Sequence, residues 1–159
     1  MAPEVTSGDG FITLADGTAR WGRFGAAGIL ARHIDDDGEA HYFLARRSML
    51  CHRGGTWAIP GGALDHGEEP LAGALREMAE ETGIRLDRFE VTEVHEDDHG
   101  GWSYWTLVVD IVERFPEPTE LSWETSEVAW VPGRELGRLA LFDAFEATLE
   151  RLGLHPGPA

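Results

Sequence analysis

A chain of 159 residues with one cysteine, Cys51, can form no internal disulfide and no C-x-x-C pair. Disulfide scaffolds are excluded, a reducing compartment fits, and Cys51 itself reads as incidental. No apolar run reaches the roughly 18 residues of a membrane-spanning helix. The opening MAPEVTSGDGF has neither the basic nor the apolar stretch of a signal peptide. These absences predict a soluble, cytoplasmic protein. Positive charge is also scarce, with 13 basic against 29 acidic side chains and a formal net charge of −16. Such a surface repels duplex nucleic acid and anionic membranes, whose sequence-independent binding rests on Lys and Arg. An anionic small ligand must therefore meet a local positive centre, and bound metal or a few arginines are what the chain offers. Seven histidines lack an H-E-x-x-H pattern or a cysteine partner, which argues against zinc. There is no Walker-type loop and no G-x-S-x-G elbow, so covalent serine chemistry is not indicated.

What is present is globular: 42% apolar residues and six tryptophans. The length predicts a single domain over 1–159, frayed at about 1–10 and 154–159. Ala26–Ile34 and His41–Arg47 read as strands around a hairpin-type turn at Asp35-Asp36-Asp37-Gly38. Thr56–Ile59 reads as a short strand running into Pro60-Gly61-Gly62. Arg88–Val94 and Trp102–Val112 are β-rich, joined by an acidic loop from His95 to Gly101, and Glu127–Val131 is a last strand. Apolar residues at Phe142, Phe145, Leu149 and Leu152 predict a closing helix. Strands mixed with two helices imply an α/β fold whose sheet is covered on both faces.

The densest information lies in Gly62–Ile84, GALDHGEEPLAGALREMAEETGI. At about 100° per residue, Glu77, Glu80 and Glu81 share one helix face, while Leu71, Ala74, Leu75, Met78 and Thr82 share the other. Pro70 suits a first helical turn and Gly83 a left-handed terminator, so a helix over Pro70–Thr82 is predicted. Like charges at i, i+3 and i+4 repel, and this segment has no lysine to offset them. A hard divalent cation with a preference for oxygen ligands relieves that repulsion. The alternative is a solvated acidic face. The two glycines after Pro60 let the backbone approach a ligand closely.

The segment fills every position of G-x5-E-x7-R-E-U-x-E-E-x-G-U, with U a bulky apolar residue, and so resembles the signature box of the Nudix hydrolases. The MutT-like branch is the most similar. The resemblance implies an α/β/α sandwich with a mixed central sheet, and a metal-dependent pyrophosphohydrolase that splits a nucleoside diphosphate linked to another moiety. A nucleoside triphosphate, oxidised or not, is the first substrate expected. ADP-ribose, dinucleotide or coenzyme A substrates, or a non-catalytic nucleotide sensor, are the alternatives. It implies Mg²⁺, with Mn²⁺ as a substitute. Glu77, Glu80 and Glu81 are carried over as catalytic and metal-binding, and Arg76 as the residue that orients a glutamate. The resemblance also implies that a backbone carbonyl of the glycine turn joins the metal shell. By position it maps to Gly61 or Gly62, and Gly62 is taken as the ligand. Gly62, Glu68 and Gly83 are structural within the box. Relatives often dimerise, so a homodimer is admitted.

Several relatives draw a general base from an acidic stretch after the box, for which Glu96, Asp97, Asp98, Glu124 and Glu127 are candidates. Arg46 and Arg47, closing the second strand, are candidates for substrate phosphates. Asp143 stands where MutT-like enzymes read the base, and is equally placed for a helix N-cap. Arg53, Trp57 and His66 border the same region. Strand alternation puts Trp102 and Tyr104 on one face and Trp105 on the other.

Overall fold

The computed structural model describes residues 7–157. A two-stranded ribbon, β1 (Phe11–Thr13) and β2 (Ala19–Trp21), precedes a seven-stranded mixed sheet. The sheet comprises β3 (Ala26–Ile34), β4 (Ala40–Arg47), β5 (Trp57–Ala58), β6 (Gly61–Ala63), β7 (Phe89–Asp98), β8 (Ser103–Ile111) and β9 (Thr125–Pro132). Helix α1 is Pro70–Thr82, a 3₁₀ segment spans Gly133–Arg138, and α2 is Asp143–Arg151.

Strands β3 and β8 run parallel, from Ala26 beside Tyr104 to Arg32 beside Asp110. The other pairings are antiparallel. Arg32 clasps Asp110 across the parallel pair through two hydrogen bonds of 2.7 and 3.0 Å. Near their shared turn β3 and β4 pair with each other, at Arg32–Tyr42 to Ile34–Ala40. Beyond that they splay, and residues 57–63 wedge between them: β5 pairs with β4, and β6 with β3. The Ile29 N–H donates to the Pro60 carbonyl at 3.0 Å inside the wedge. This insertion carries Gly61 and Gly62 into the middle of the sheet.

The period-two pattern of the strands divides the core. Ala27, Ile29, Ala31, Phe43, Ala45, Leu107 and Val109 face α1 and meet its buried Ala74 and Met78. Leu30, Tyr42, Leu44 and Val108 face the opposite side and meet Leu136, Phe145 and Leu149 from the 3₁₀ segment and α2. Burying each of the larger side chains contributes roughly 1.5–3 kcal/mol. The result is the expected α/β/α sandwich. Trp105 packs on the α1 side and Tyr104 on the α2 side, as alternation requires.

Helix α1 matches its sequence expectation at both ends. Pro70 occupies the first turn, and Gly83 at φ 76° donates its N–H to the Ala79 carbonyl at 2.8 Å. Helix α2 differs at its start. Phe142 is the N-cap residue and offers no side-chain bond, so Asp143 is not the cap; it lies inside the first turn, where a negative charge complements the helix dipole.

The structure departs from the sequence reading at several points. The acidic stretch expected as a loop from His95 belongs to β7, which continues through Glu96, Asp97 and Asp98 opposite Trp105, Tyr104 and Ser103. Strand β7 is an edge strand, where charged side chains find solvent. Gly61–Ala63 is a strand as well as a turn, and the β1–β2 ribbon and the 3₁₀ segment are additional. Residues 8–10, within the span expected to fray, are tied down: Arg23 N–H donates to Gly8 O at 2.8 Å and Gly22 N–H to Gly10 O at 2.7 Å. Near the other end, the Leu154 N–H donates to Leu149 O at 2.8 Å. Among the described residues no helix is long and apolar enough to cross a membrane.

Candidate active site

Arg76 organises the residues of the box. Its Nε and Nη2 donate to the two Glu68 oxygens at 2.9 Å each, and Nη2 also reaches the Ala63 carbonyl at 2.9 Å. Nη1 donates to Glu77 Oε1 at 3.1 Å and to Glu80 Oε1 at 3.2 Å. Glu68 in turn accepts the Asp65 N–H at 3.0 Å, so the loop before α1 is stitched to the helix through one guanidinium. That fork holds the Glu68 carboxyl below the usual carboxylate range and keeps Arg76 firmly charged.

The other glutamates sit in a different field. Burial pushes Glu77 up to about 7, with the charges of Glu80 and Asp9 adding to the rise and Arg76 opposing it. Burial also pushes Glu81 well above its ordinary value, reinforced by Glu77 and Glu124, while the Gly61 amide and Arg47 pull the other way. Glu80 is the exposed member. Gly62 makes room for this face, since a Cβ there would stand 2.5 Å from the Glu77 carboxyl carbon. Gly61 faces the other way, where a Cβ would stand 2.5 Å from the Ala27 carbonyl oxygen and 2.8 Å from the Tyr104 hydroxyl.

On the far side of Gly61 a small cavity of about 70 Å³ is bordered by Arg46, Arg47, Cys51, Gly61, Glu81 and Glu124. Adjacent strand residues normally point to opposite faces. Here the β4–β9 register slips between Arg46 and Arg47, and both border the one cavity. Arg46 is held by the Gly55 carbonyl at 3.1 Å and by Glu127 at 3.3 Å. Arg47 is held by the His52 carbonyl at 2.9 Å and stacks over the Phe142 ring at 4.8 Å. Asp143 forms an ion pair with Arg53 and does not border the cavity. A larger open groove of about 470 Å³ runs along α1 past Ala72, Leu75, Arg76 and Arg85, outside the glycine wedge.

Of the five candidate bases, Glu124 alone borders the cavity with Glu81. Glu96 accepts the Ser103 hydroxyl at 2.8 Å, and Asp98 accepts the Gly100 N–H at 2.8 Å. Asp97 lies between His99 at 3.0 Å and Arg151 at 2.9 Å, and Glu127 pairs with Arg46. Trp102 is taken up by packing, its indole N–H donating to Gly22 O at 3.0 Å. His66 is exposed and edge-on to Phe24.

One residue of the site carried no signal in the sequence. Cys51, expected to be incidental, lines the cavity with its Sγ 3.6 Å from the Glu124 carbonyl. It falls in no motif, and only the chain's return to the same point unites it with the box. Among the described residues, the group of three ligand-type side chains with donor atoms within 4.8 Å of one another is Asp35, Glu39 and His41. It belongs to the β3–β4 turn, where Asp35 accepts the Asp37 and Glu39 amides at 3.0 Å each. The box carboxylates are spread wider, drawn toward Arg76 and Gly61.

A family model described as the NUDIX domain matches residues 24–152. The chain belongs to the Nudix family. It is 39% identical over 155 residues to a Mycobacterium tuberculosis protein named "Putative 8-oxo-dGTP diphosphatase 3", across 94% of this chain and 70% of that one. A Bifidobacterium longum "Nucleoside triphosphate pyrophosphatase/Nudix hydrolase fusion protein" is 37% identical over 147 residues, 91% of this chain but 30% of its own length. The crystal structure of a Nudix hydrolase from M. smegmatis superposes with a TM-score of 0.80 at 36% identity, covering 92% of this chain and 93% of that chain. This Nudix chain is thus an enzyme of the diphosphate-hydrolysing class. Nudix hydrolases generally work with a divalent metal. The all-oxygen donor set of Glu77, Glu80 and Glu81, and the cradle that a Cβ at Gly62 would fill, suit a small hard cation.

Proposed function

We propose that the chain hydrolyses nucleoside triphosphates to the monophosphate and pyrophosphate, with oxidised purine nucleotides of the 8-oxo-dGTP kind as the first class to test. The observation that carries this reading is the cavity that brings Arg46 and Arg47 to within one small space of Glu81 and Glu124. Arginines there receive phosphate oxygens in a chain whose net charge of −16 otherwise repels them. The name of the mycobacterial relative supports the oxidised substrate.

Glu77, Glu80 and Glu81, with the Gly62 carbonyl, would hold Mg²⁺ or Mn²⁺, which would supply Lewis-acid stabilisation of developing negative charge. Glu124, beside Glu81 at the cavity, accepts the proton of the attacking water as the new P–O bond forms and the P–O bond to the leaving pyrophosphate breaks. Arg76 orients Glu77 and Glu80 without touching substrate, and Arg46 and Arg47 hold the phosphate chain. Asp143, paired with Arg53, is the candidate for base contact. The negative surface supports a small-molecule substrate rather than a nucleic acid, and the lone cysteine accords with a cytoplasmic location.

The test is pyrophosphate release from 8-oxo-dGTP, canonical dNTPs, ADP-ribose, diadenosine polyphosphates and coenzyme A, with Mg²⁺ or Mn²⁺, for wild type and Glu81→Gln. Metal-dependent turnover of the oxidised nucleotide, lost in the variant, is expected. Preferred turnover of another class would replace the substrate, and metal-dependent binding without any turnover would sink the reading.

A further inference from the structure

The chain enters α2 pressed against β5. The Trp57 N–H donates to the Ala140 carbonyl and the Phe142 N–H to the Trp57 carbonyl, each at 2.8 Å, with Leu141 bridged to Trp57. These bonds seat Phe142 beside the end of β4, where the Arg47 guanidinium carbon lies 4.8 Å from the centre of its ring. Asp143, the next residue, pairs with Arg53, so two consecutive residues at the start of α2 each hold an arginine. Phe142 is also an unusual choice for its position. It is the N-cap of α2, where Ser, Thr, Asp or Asn would satisfy a free helix N–H, and it makes no side-chain cap bond. A local rule broken in this way points to a role outside the helix.

Arg46 and Arg47 border the same cavity but are held by different chemistry. Arg46 pairs with Glu127, whose carboxylate cancels part of its charge. Arg47 has no ion pair among the described residues; its Nε–H goes to the His52 carbonyl at 2.9 Å and its face to the Phe142 ring. An aromatic face orients a guanidinium through the ring quadrupole and brings no negative charge, so the in-plane N–H donors keep their attraction for an anion. We propose that Phe142 is a positioning residue for phosphate binding, holding Arg47 at the cavity as an oriented and unneutralised cation. This rests on reading Arg47 as a phosphate contact, and it ties the start of α2 to that contact.

The experiment is calorimetric titration of inorganic pyrophosphate, with Mg²⁺, into the full chain. Wild type, Phe142→Leu, Phe142→Tyr, Arg47→Ala and the double variant Phe142→Leu/Arg47→Ala are compared, with Tm measured for each. Phe142→Leu should raise Kd by about three- to tenfold, and Phe142→Tyr, which keeps the aromatic face, should bind like wild type. Arg47→Ala should raise Kd by about tenfold or more, and adding Phe142→Leu to it should raise Kd no further. Wild-type affinity in Phe142→Leu beside a weakened Arg47→Ala overturns the role of Phe142 and leaves the phosphate reading standing. So does a Phe142→Leu loss of equal size in the Arg47→Ala background, or a Phe142→Tyr protein as weak as Phe142→Leu, since either marks packing alone. Wild-type affinity in Arg47→Ala, or no pyrophosphate bound by the wild type, overturns both.

Discussion

Arg76 and Glu68, eight residues apart, face each other as a fork against a fork, with both hydrogen bonds at 2.9 Å. This pair joins the loop after the glycine turn to the helix that bears the carboxylates. Lysine cannot reproduce it, because its ammonium has no planar pair of donors.

Arg76→Lys should therefore lower stability and activity together. Losing charge-assisted bonds of this kind costs about 1.5–3 kcal/mol, which in a domain of this size shifts Tm by about 3–12 °C. Thermal denaturation and pyrophosphate release on the same sample check it. An unchanged Tm would show that the fork is dispensable to the fold.

The raised Glu77 sets a pH dependence for the metal-free protein. The folded state holds this proton up to about 7, whereas the unfolded chain releases it near 4.5. Between those values the folded state binds more protons, so stability falls as pH rises through the window. Glu81 acts in the same direction. Glu68 and Asp97, both lowered, act oppositely: their stabilisation is present above the ordinary carboxylate range and is lost as pH falls below it. In EDTA, Tm should decline from about pH 5 to about pH 7.5, and Glu77→Gln should flatten the decline. Mg²⁺ should raise Tm more at the alkaline end, since protons compete for its ligands. An identical slope in Glu77→Gln would contradict the assignment.

The candidate bases separate by variant. Glu124→Gln should lower kcat by about 10²–10⁴-fold, the usual share of a general base, with little change in Tm. Glu96→Gln and Asp98→Asn should leave kcat near wild type. Asp97→Asn should lower Tm instead, because it breaks the link between His99 and Arg151. A normal Glu124→Gln enzyme would move the base elsewhere.

These distinctions mark where sequence reasoning stops. Helix α1 was legible because its pattern is local: an apolar face, Pro70 at one end and Gly83 at the other. Strand β3 was legible for the same reason, as an apolar run bounded by Gly25 and the Asp35–Gly38 turn. The acidic end of β7 was not, since Glu96-Asp97-Asp98 has poor strand propensity and is held by pairing with β8. Strand β6 was hidden because its glycines carry no alternation. The box carboxylates could be named from spacing and Glu124 only as one of five candidate bases; its place beside Glu81, with Cys51, comes from tertiary closure, which no local period records.

Arg47 and Arg46 should differ although they are neighbours. Both border the cavity, but Arg46 has a carboxylate partner in Glu127, whereas Arg47 is held by a carbonyl and a ring. Arg47 therefore offers the less neutralised charge. Arg47→Ala should raise KM by about 10–100-fold, the worth of a bond to a charged group, and Arg46→Ala should raise it less. Steady-state kinetics on one nucleotide decides the order, and equal effects would refute it.

The two glycines of the turn make the sharpest contrast. A methyl at Gly61 would meet the backbone, 2.5 Å from the Ala27 carbonyl oxygen and 2.7 Å from the Gly28 Cα. Neither can move without opening the β3–β6 pairing, so Gly61→Ala should destabilise by about 1–3 kcal/mol or more, as overpacking does. The atoms nearest a methyl at Gly62 would be the end of the Glu77 side chain, its carboxyl carbon at 2.5 Å. That group can swing aside, so Gly62→Ala should fold near normally and lose Mn²⁺ affinity and turnover instead. Chemical denaturation and metal titration of the pair test this directly. If Gly62→Ala binds Mn²⁺ like wild type, the Glu77 carboxyl has no part in holding the cation where it now stands.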